Sequence, residues 1–210
     1  MYLALNTFIY EVAHIPIEET LRSAARLGFR YVEYAAYRSG APTMMDPARR
    51  GEVVRISKDL GLQSVQLLLI NSGDIASSEP TRRRQGLDYM KACTDSQLEL
   101  GGRQVLVCRG CGIHEPDMPR AQAWVNMLGS LYEFAKWGLS RGVLVGLEIE
   151  PHVYFVVNST AKAAQAIEDI GLPNVLANVD VGHLTLLREG PGALEKLKTR
   201  IVQIHLSETD

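Results

Sequence analysis

The fold is decided by three successive stretches: Val143-Leu-Val-Gly-Leu-Glu-Ile-Glu150, Val175-Leu-Ala-Asn-Val-Asp180 and Ile201-Val-Gln-Ile-His205. Each is a short apolar run rich in β-branched residues, which is typical of a buried strand. Each run also closes on an acid or a histidine. Acids and a histidine at the carboxyl ends of successive strands indicate a metal site.

Four further apolar runs of the same kind precede these three and predict strands at 3–9, 31–34, 64–70 and 104–108. The stretches between the runs have helical periodicity. They predict helices over 17–27, 47–60, 79–100, 119–141 and 159–170, and a short one from Pro191. Asp46-Pro47 is a cap residue followed by a proline suited to the first helical turn, and glycine follows most of the predicted helices.

Strict alternation of buried strands with helices predicts a parallel sheet with the helices outside it. An open doubly wound sheet and a closed (β/α)8 TIM barrel both fit this alternation. The open sheet normally carries a glycine-rich phosphate turn after its first strand, and Asn6-Thr-Phe-Ile-Tyr10 has no glycine. The pattern therefore favours an α/β TIM barrel over 1–210 as a single domain, shortened to seven strands.

Bulk composition restricts the function classes. The chain has 210 residues, 46% of them hydrophobic, and a formal net charge of −2. Nucleic-acid binding draws most of its affinity from clustered lysine and arginine, so we expect no nucleic-acid partner. No apolar stretch is long enough to span a bilayer and no secretory leader is evident, so we expect no membrane association and a cytoplasmic location.

Cys108, Cys111 and His114 form a C-x-x-C-x-x-H string that could be part of a zinc site. The chain has only three cysteines, however, and no second cysteine pair. Cys108 also falls at the end of an apolar run, where a free cysteine packs as a small hydrophobic residue. A structural role for these cysteines is therefore the favoured interpretation.

Metal-ligand chemistry suits the strand ends better. Glu150 alone is equally compatible with a metal ligand and with a structural pair to an arginine. Asp180-Val-Gly-His183 strengthens the metal hypothesis, since it brings an aspartate and a histidine together directly after a strand. With His205, the set offers two carboxylates and an imidazole, which suits Mn²⁺, Co²⁺ or Mg²⁺.

These motifs carry a family resemblance. Leu147-Glu-Ile-Glu-Pro-His152, Asn178-Val-Asp-Val-Gly-His183 and Val202-Gln-Ile-His-Leu206 resemble, in this order, the xylose isomerase-like TIM-barrel superfamily. That superfamily comprises sugar and sugar phosphate isomerases and epimerases, with the AP endonuclease 2 family as its DNA-cleaving branch. Ala4-Leu-Asn-Thr7 and Gly28-Phe-Arg-Tyr-Val-Glu33 resemble its first two strands.

The resemblance implies that Glu150, Asp180 and His205 bind a divalent cation, with Zn²⁺ as an alternative to the three metals above. It also implies that His183 holds a substrate oxygen and that Glu150 is the catalytic carboxylate. The substrate would be a sugar, a sugar phosphate or an inositol-like polyol. Substrate contacts are also expected from three residues for which a capping or loop-fixing role is an equal alternative: Asn6, Glu33 and His152.

Two features of the sequence depart from the epimerase branch. The resemblance places a fourth ligand on an eighth strand, and the sequence stops five residues after His205. Val156 stands where that branch has a substrate-binding glutamate. Three explanations fit the missing strand: a longer enzyme, a gap filled by another chain, and a loss of catalysis. We expect a shortened barrel that forms a homo-oligomer.

A catalytically impaired binding or assembly subunit is the alternative function. An AP endonuclease-type phosphodiesterase fits less well, because the chain has only five histidines.

Overall fold

A computed structural model describes residues 2–36 and 46–208 of the chain. In these residues seven strands follow one another in the sheet in the order of the sequence. They are β1 Ala4–Asn6, β2 Tyr31–Ala35, β3 Gln63–Leu69, β4 Gln104–Val107, β5 Leu144–Glu148, β6 Val175–Asp180 and β7 Ile201–His205. Strands β1 to β3 pair in parallel, and so do β5 to β7. The predicted alternating, parallel α/β fold is confirmed.

Seven α-helices separate the strands in the described residues: α1 Phe8–Val12, α2 Ile17–Arg26, α3 Pro47–Asp59, α4 Pro80–Glu99, α5 Arg120–Leu139, α6 Thr160–Ile170 and α7 Val181–Leu187. Side-chain caps start α3 and α6. Asp46 accepts a hydrogen bond from the Ala48 amide at 2.9 Å, and Ser159 accepts one from the Lys162 amide at 3.2 Å. Of the helices described, none combines the length and apolar character needed to cross a membrane.

The structure corrects the sequence-based boundaries of β1 and of the short helix expected from Pro191. Residues 7–9 were expected to continue β1, but α1 begins at Phe8 because the Asn6 side-chain oxygen accepts the Phe8 amide hydrogen at 2.8 Å. The short helix expected from Pro191 is a 3₁₀ turn, Pro191–Lys196. Residues 37–45, which lie between the predicted strand 31–34 and the predicted helix 47–60, are outside the described residues.

The chain divides into two compact units, and the first comprises Met1–Asn71 and Met90–Val105. Strand β2 is buried almost throughout, and the Tyr34 hydroxyl joins it to α3 through Ser57 Oγ at 2.6 Å. Burial raises the pKa of Tyr34 to about 12. A row of polar side chains crosses the strands of this unit, with hydrogen bonds between neighbours, from Asn6 through Glu33 and Gln66 to Gln104.

The second unit comprises Ser72–Tyr89 and Leu106–Asp210. Its core combines the alternate apolar residues of β5 and β6 with the buried face of α5, including Val145, Leu147, Ala177, Met127, Leu131 and Phe134. The Asn174 amide donates to the carbonyls of Ala135 and Val143 at 2.9 and 3.0 Å, and so joins the end of α5 to the start of β5. That the chain forms a single domain over 1–210 stays a prediction.

Candidate metal centre

A group of two carboxylates and one imidazole lies in the second unit at the carboxyl ends of β5 and β6. Glu148 is the last residue of β5, Asp180 is the last residue of β6, and His183 is in the first turn of α7. One ligand atom from each of the three lies within 4.8 Å of the others. The structure therefore contains a possible metal site built from Glu, Asp and His.

Asp180 has two structural functions at this site. It ends a strand and also caps α7, since its Oδ1 accepts a hydrogen bond from the His183 amide at 3.0 Å. The cap fixes the first turn of α7 against β6, and this places the His183 ring beside the aspartate. The short helix that the sequence did not predict is thus the element that brings His183 to the site.

His205 adjoins the same group from the end of β7. The register of the sheet pairs Asp180 with His205. The Nδ1 atom of His205 lies 3.8 Å from Asp180 Oδ2 and 3.9 Å from Glu148 Oε1. Asn178 Nδ2 approaches the same nitrogen at 3.4 Å. Two of the three predicted ligands, Asp180 and His205, are therefore brought together, with Glu148 and His183 beside them.

The two carboxylates of this group are buried. Glu148 is 6% exposed and Asp180 is 7% exposed. Bringing two ionised carboxylates together away from water is unfavourable, because burial disfavours the charged form and like charges repel. A divalent cation between them offsets both terms. The donor set and its burial thus fit a metal ion of the Mn²⁺, Co²⁺ or Mg²⁺ type.

Hydrogen bonds around the group orient its ligands in the way that metal sites usually do. His183 Nδ1 lies 3.0 Å from the Ile149 carbonyl oxygen, which can only accept, so the proton of a neutral imidazole is on Nδ1 and the lone pair is on Nε2. Ser207 Oγ donates to Asp180 Oδ1 and accepts from the Gly182 amide at 3.1 Å. These bonds occupy Oδ1 and leave Oδ2 facing His205.

Glu150 is not a member of this group. It lies two residues beyond the end of β5, and its backbone amide donates to the Val157 carbonyl at 3.3 Å. Its Oε1 accepts a hydrogen bond from the Gly110 amide at 3.1 Å. The expectation that Glu150 closes the strand is wrong, because β5 ends at Glu148. Its assignment as a metal ligand and catalytic carboxylate stays a prediction.

A left-handed turn after β4 holds the amide that binds Glu150. Arg109, Gly110 and Cys111 have φ angles of 55°, 50° and 57°. Residues other than glycine rarely adopt this left-handed conformation. The Gly110 carbonyl accepts the Val157 amide hydrogen at 2.8 Å, which fixes the turn against the segment after Glu150. Two non-glycine residues in left-handed conformation cost free energy, which the contacts around the turn must offset.

The remaining predicted substrate residues have structural partners. Asn6 Nδ2 donates to Glu33 Oε2 at 2.7 Å in the first unit, and Asn6 Oδ1 accepts the Phe8 amide hydrogen at the start of α1. His152 is exposed, and its Nδ1 accepts the Tyr154 amide hydrogen at 3.3 Å. The alternative capping and loop-fixing roles are therefore present for Asn6 and His152. Substrate binding by Asn6, Glu33 and His152 stays a prediction.

The cysteine string is structural within the described residues. Cys93, Cys108 and Cys111 are buried and form no disulfide within the described residues, and burial raises the pKa of Cys111 well above its usual value. His114 Nε2 lies 2.5 Å from the Met118 carbonyl oxygen. The one metal-suited group found among the described residues contains none of them.

Glu148 is the site residue that sequence reasoning missed. The apolar run continues past it through Ile149, so the sequence alone does not indicate that the strand ends at Glu148. Side chains two apart in a strand point to the same face, so Glu148 and Glu150 share a direction as far as the strand continues. That periodicity was the signal that could have identified Glu148 as a candidate.

Comparisons with known proteins agree with this fold. The sequence model of a family described as xylose isomerase-like TIM barrel matches residues 21–210. A curated L-ribulose 3-epimerase from Mesorhizobium japonicum (strain LMG 29417 / CECT 9101 / MAFF 303099) is 24% identical over 216 residues, which covers 99% of this chain and 70% of that protein.

Two solved structures show the similarity of fold at low sequence identity. A D-tagatose 3-epimerase-like protein superposes with a TM-score of 0.86 at 16% identity, covering 100% of this chain and 77% of the other. A 3-keto-D-glucoside 4-epimerase from E. coli gives a TM-score of 0.81 at 19% identity, covering 99% of this chain and 79% of the other. At these identities the likeness establishes the fold alone.

Proposed function

The chain belongs to the xylose isomerase-like TIM barrel family, and from this premise we propose that it is a divalent-metal-dependent epimerase or isomerase of sugars. The observation that carries the proposal is the group of Glu148, Asp180 and His183, whose two carboxylates are buried, with His205 beside it. The similar proteins named as ribulose 3-epimerase and glucoside 4-epimerase support a sugar as the substrate class. A sugar phosphate or an inositol-like polyol is within the same proposal.

The cation would be held by Glu148 and Asp180 oxygens and by His183 Nε2. His205 is the candidate fourth ligand, because its ring lies next to both carboxylates. This set suits Mn²⁺, Co²⁺ or Mg²⁺ and tolerates Zn²⁺. A bound cation of this type polarises a carbonyl and so acidifies the neighbouring C–H bond.

Glu150 is the proposed base. The Gly110 amide occupies Oε1, which leaves Oε2 as the oxygen that can take a proton. Inversion of the centre requires that a second acid deliver a proton to the opposite face of the same carbon, whereas delivery by Glu150 to the neighbouring carbon interconverts an aldose and a ketose. The hydrogen bond from Gly110 fixes the carboxylate before substrate arrives, which is the condition for efficient proton transfer.

Solvent exchange tests the proposal. Wild-type protein loaded with Mn²⁺ or Co²⁺ is incubated in heavy water with a panel of ketoses and ketose phosphates, and deuterium in recovered sugar is measured by mass spectrometry. We expect enzyme-dependent deuterium in at least one sugar, and a fall of roughly 10²–10⁴-fold in Glu150→Gln. Glu168→Gln, an exposed change on α6, is the matched control and should exchange normally. If Glu150→Gln exchanged deuterium as fast as the wild type, Glu150 would not be the base.

The catalytically impaired binding or assembly subunit is the second candidate. It is favoured by Val156, an apolar residue only 6% exposed at the position where the resemblance has a substrate-binding glutamate. Metal binding without deuterium exchange into any sugar of the panel would select this candidate. Assembly into a homo-oligomer and a cytoplasmic location remain predictions, and sedimentation of the purified chain tests the first of these.

A further inference from the structure

A cavity of about 310 Å³ lies in the second unit at the start of helices α5 and α6. Its described lining residues include none of the metal centre. Its walls include His114, Arg120, Trp124, Val156, Lys162 and Gln165. A volume of roughly 300 Å³ is at the lower end of the range for small-molecule sites in proteins.

Two cations line this cavity without an ion-pair partner in the described part of the chain. Both terminal nitrogens of Arg120 bond a backbone carbonyl, that of Val153, at 3.3 Å. Lys162 Nζ donates to Asn158 Oδ1 at 2.9 Å. Burial, and after it the positive charge of Arg120, lowers the pKa of Lys162.

Two acids that bind residues near these cations form no ion pair with Arg120 or Lys162 in the described residues. Asp169 accepts from Trp124 Nε1 at 3.2 Å, and Glu189 accepts from the Thr160 amide at 3.0 Å, at the start of α6. Among the described residues that line the cavity there is no carboxylate. The cavity therefore has a positive wall beside an indole ring.

The backbone at the start of α5 adds further uncompensated positive charge. Arg120 is the first residue of a 20-residue helix that has no acid in its first turn and no side-chain hydrogen bond at its cap residue, Pro119. A helix amino terminus carries partial positive charge and favours an anion, so a cation at this position is locally unfavourable. A cation at a helix amino terminus, with no compensating group among the described residues, is a local conflict of the kind that is typical of binding sites.

We propose that this cavity binds a phosphoryl group, with Arg120 and Lys162 as its cationic ligands and Trp124 beside the organic part of a phosphate ester. A guanidinium group binds phosphate oxygens in pairs, and an ammonium group adds a mobile point charge. The indole face accepts an apolar or ring-shaped substituent. Inorganic phosphate and a phosphorylated sugar share this chemistry.

Fluorescence of Trp124 tests the site directly. The chain has two tryptophans, so Trp137→Phe leaves Trp124 as the only one. In that background, the probes are inorganic phosphate and ribose 5-phosphate, titrated at constant ionic strength, with ribose and sodium chloride as blanks. We expect a saturable change with both phosphates and none with the blanks. Tighter binding of ribose 5-phosphate would identify the ester as the source, and equal binding would identify free phosphate.

Variants decide whether the cavity is responsible. Arg120→Gln and Lys162→Gln should each weaken apparent phosphate affinity by about tenfold or more, because each loses a charge-assisted hydrogen bond. Lys136→Gln, which removes a cation that lies over the Tyr132 ring on the same helix, is the matched control and should bind normally. Asp180→Ala should also bind normally, which separates this site from the metal centre. Absence of a saturable change, or equal affinity in folded Arg120→Gln and Lys162→Gln, would overturn the proposal.

Discussion

Replacing Gly110 by alanine should lower the free energy of unfolding and also slow proton exchange into the sugar. Gly110 has a φ of +50°, and a Cβ atom added there would lie 2.5 Å from Phe155 Cβ and 3.0 Å from the Val157 carbonyl oxygen. Neither neighbour is the free end of a flexible side chain, so the backbone of the turn or of the 155–157 segment must move. Movement of either one shifts the amide that binds Glu150.

The expected cost follows from two terms. An alanine in left-handed conformation costs roughly 1–2 kcal/mol, and an added carbon in a filled site costs roughly 1–3 kcal/mol. We therefore expect Gly110→Ala to lower the free energy of unfolding by about 2–5 kcal/mol. Gly129→Ala is the matched control, because Gly129 lies in α5 and a Cβ atom added there would meet no described heavy atom within 4 Å. It should stabilise the chain by roughly 0.5–1 kcal/mol.

Urea unfolding of the two variants and the wild type, followed by circular dichroism, gives both free energies. Deuterium exchange in the absence of urea then gives the catalytic effect on folded protein. If Gly110→Ala were as stable as Gly129→Ala, the left-handed turn would not be a tight constraint. If it were destabilised but exchanged protons at the wild-type rate, the Gly110 amide would not position Glu150.

Three further predictions concern groups around the metal centre and in the cores of the two units. Burial raises the pKa of Glu11 to about 7 from 4.5, so this acid contributes stability below pH 4.5 that is lost as pH rises through 7; Glu11→Gln should remove roughly 3 kcal/mol of that pH dependence in urea unfolding at pH 5 and pH 8. Ser207→Ala removes the hydroxyl that orients Asp180 and should weaken metal binding about 10–100-fold by calorimetry, whereas unchanged affinity would make that hydrogen bond irrelevant to the ligand. Leu147→Ala empties a fully buried position of β5 and should cost about 2–5 kcal/mol in the same unfolding assay, with a smaller loss indicating that the core relaxes around it.

The strands were predictable because they are apolar and rich in β-branched residues. Strands β2 to β7 lie within two residues of their predicted ends. The short helices α1 and α7 were not, because five or seven residues are too few to display a 3.6-residue period. Their first turns were nevertheless marked in the sequence: Asn6 precedes α1, and Asp180 precedes α7 with His183 three residues on.

The sequence predicted the location of the site better than it predicted which residues are its ligands. Parallel strands direct their carboxyl ends to one edge, so Asp180 and His205 could be paired from the sequence. Which of Glu148 and Glu150 faces them depends on the residue at which β5 ends, and strand ends are the least certain part of a sequence-based prediction. The Gly110 amide that binds Glu150 lies 40 residues away in the chain, and no sequence pattern predicts this hydrogen bond.

Binding of Co²⁺ to the purified chain and to Glu148→Gln, Asp180→Asn and Glu150→Gln tests the central claim most directly. The visible absorption of bound Co²⁺ reports both stoichiometry and the nitrogen and oxygen character of its ligands. The proposed centre of Glu148, Asp180 and His183 predicts one ion per wild-type chain, loss of that ion in Glu148→Gln and Asp180→Asn, and its retention in Glu150→Gln, whereas the sequence-based assignment of Glu150 as a ligand predicts its loss in Glu150→Gln. Absence of binding to the wild type, or retention in Glu148→Gln together with loss in Glu150→Gln, would contradict the metal centre described for this chain.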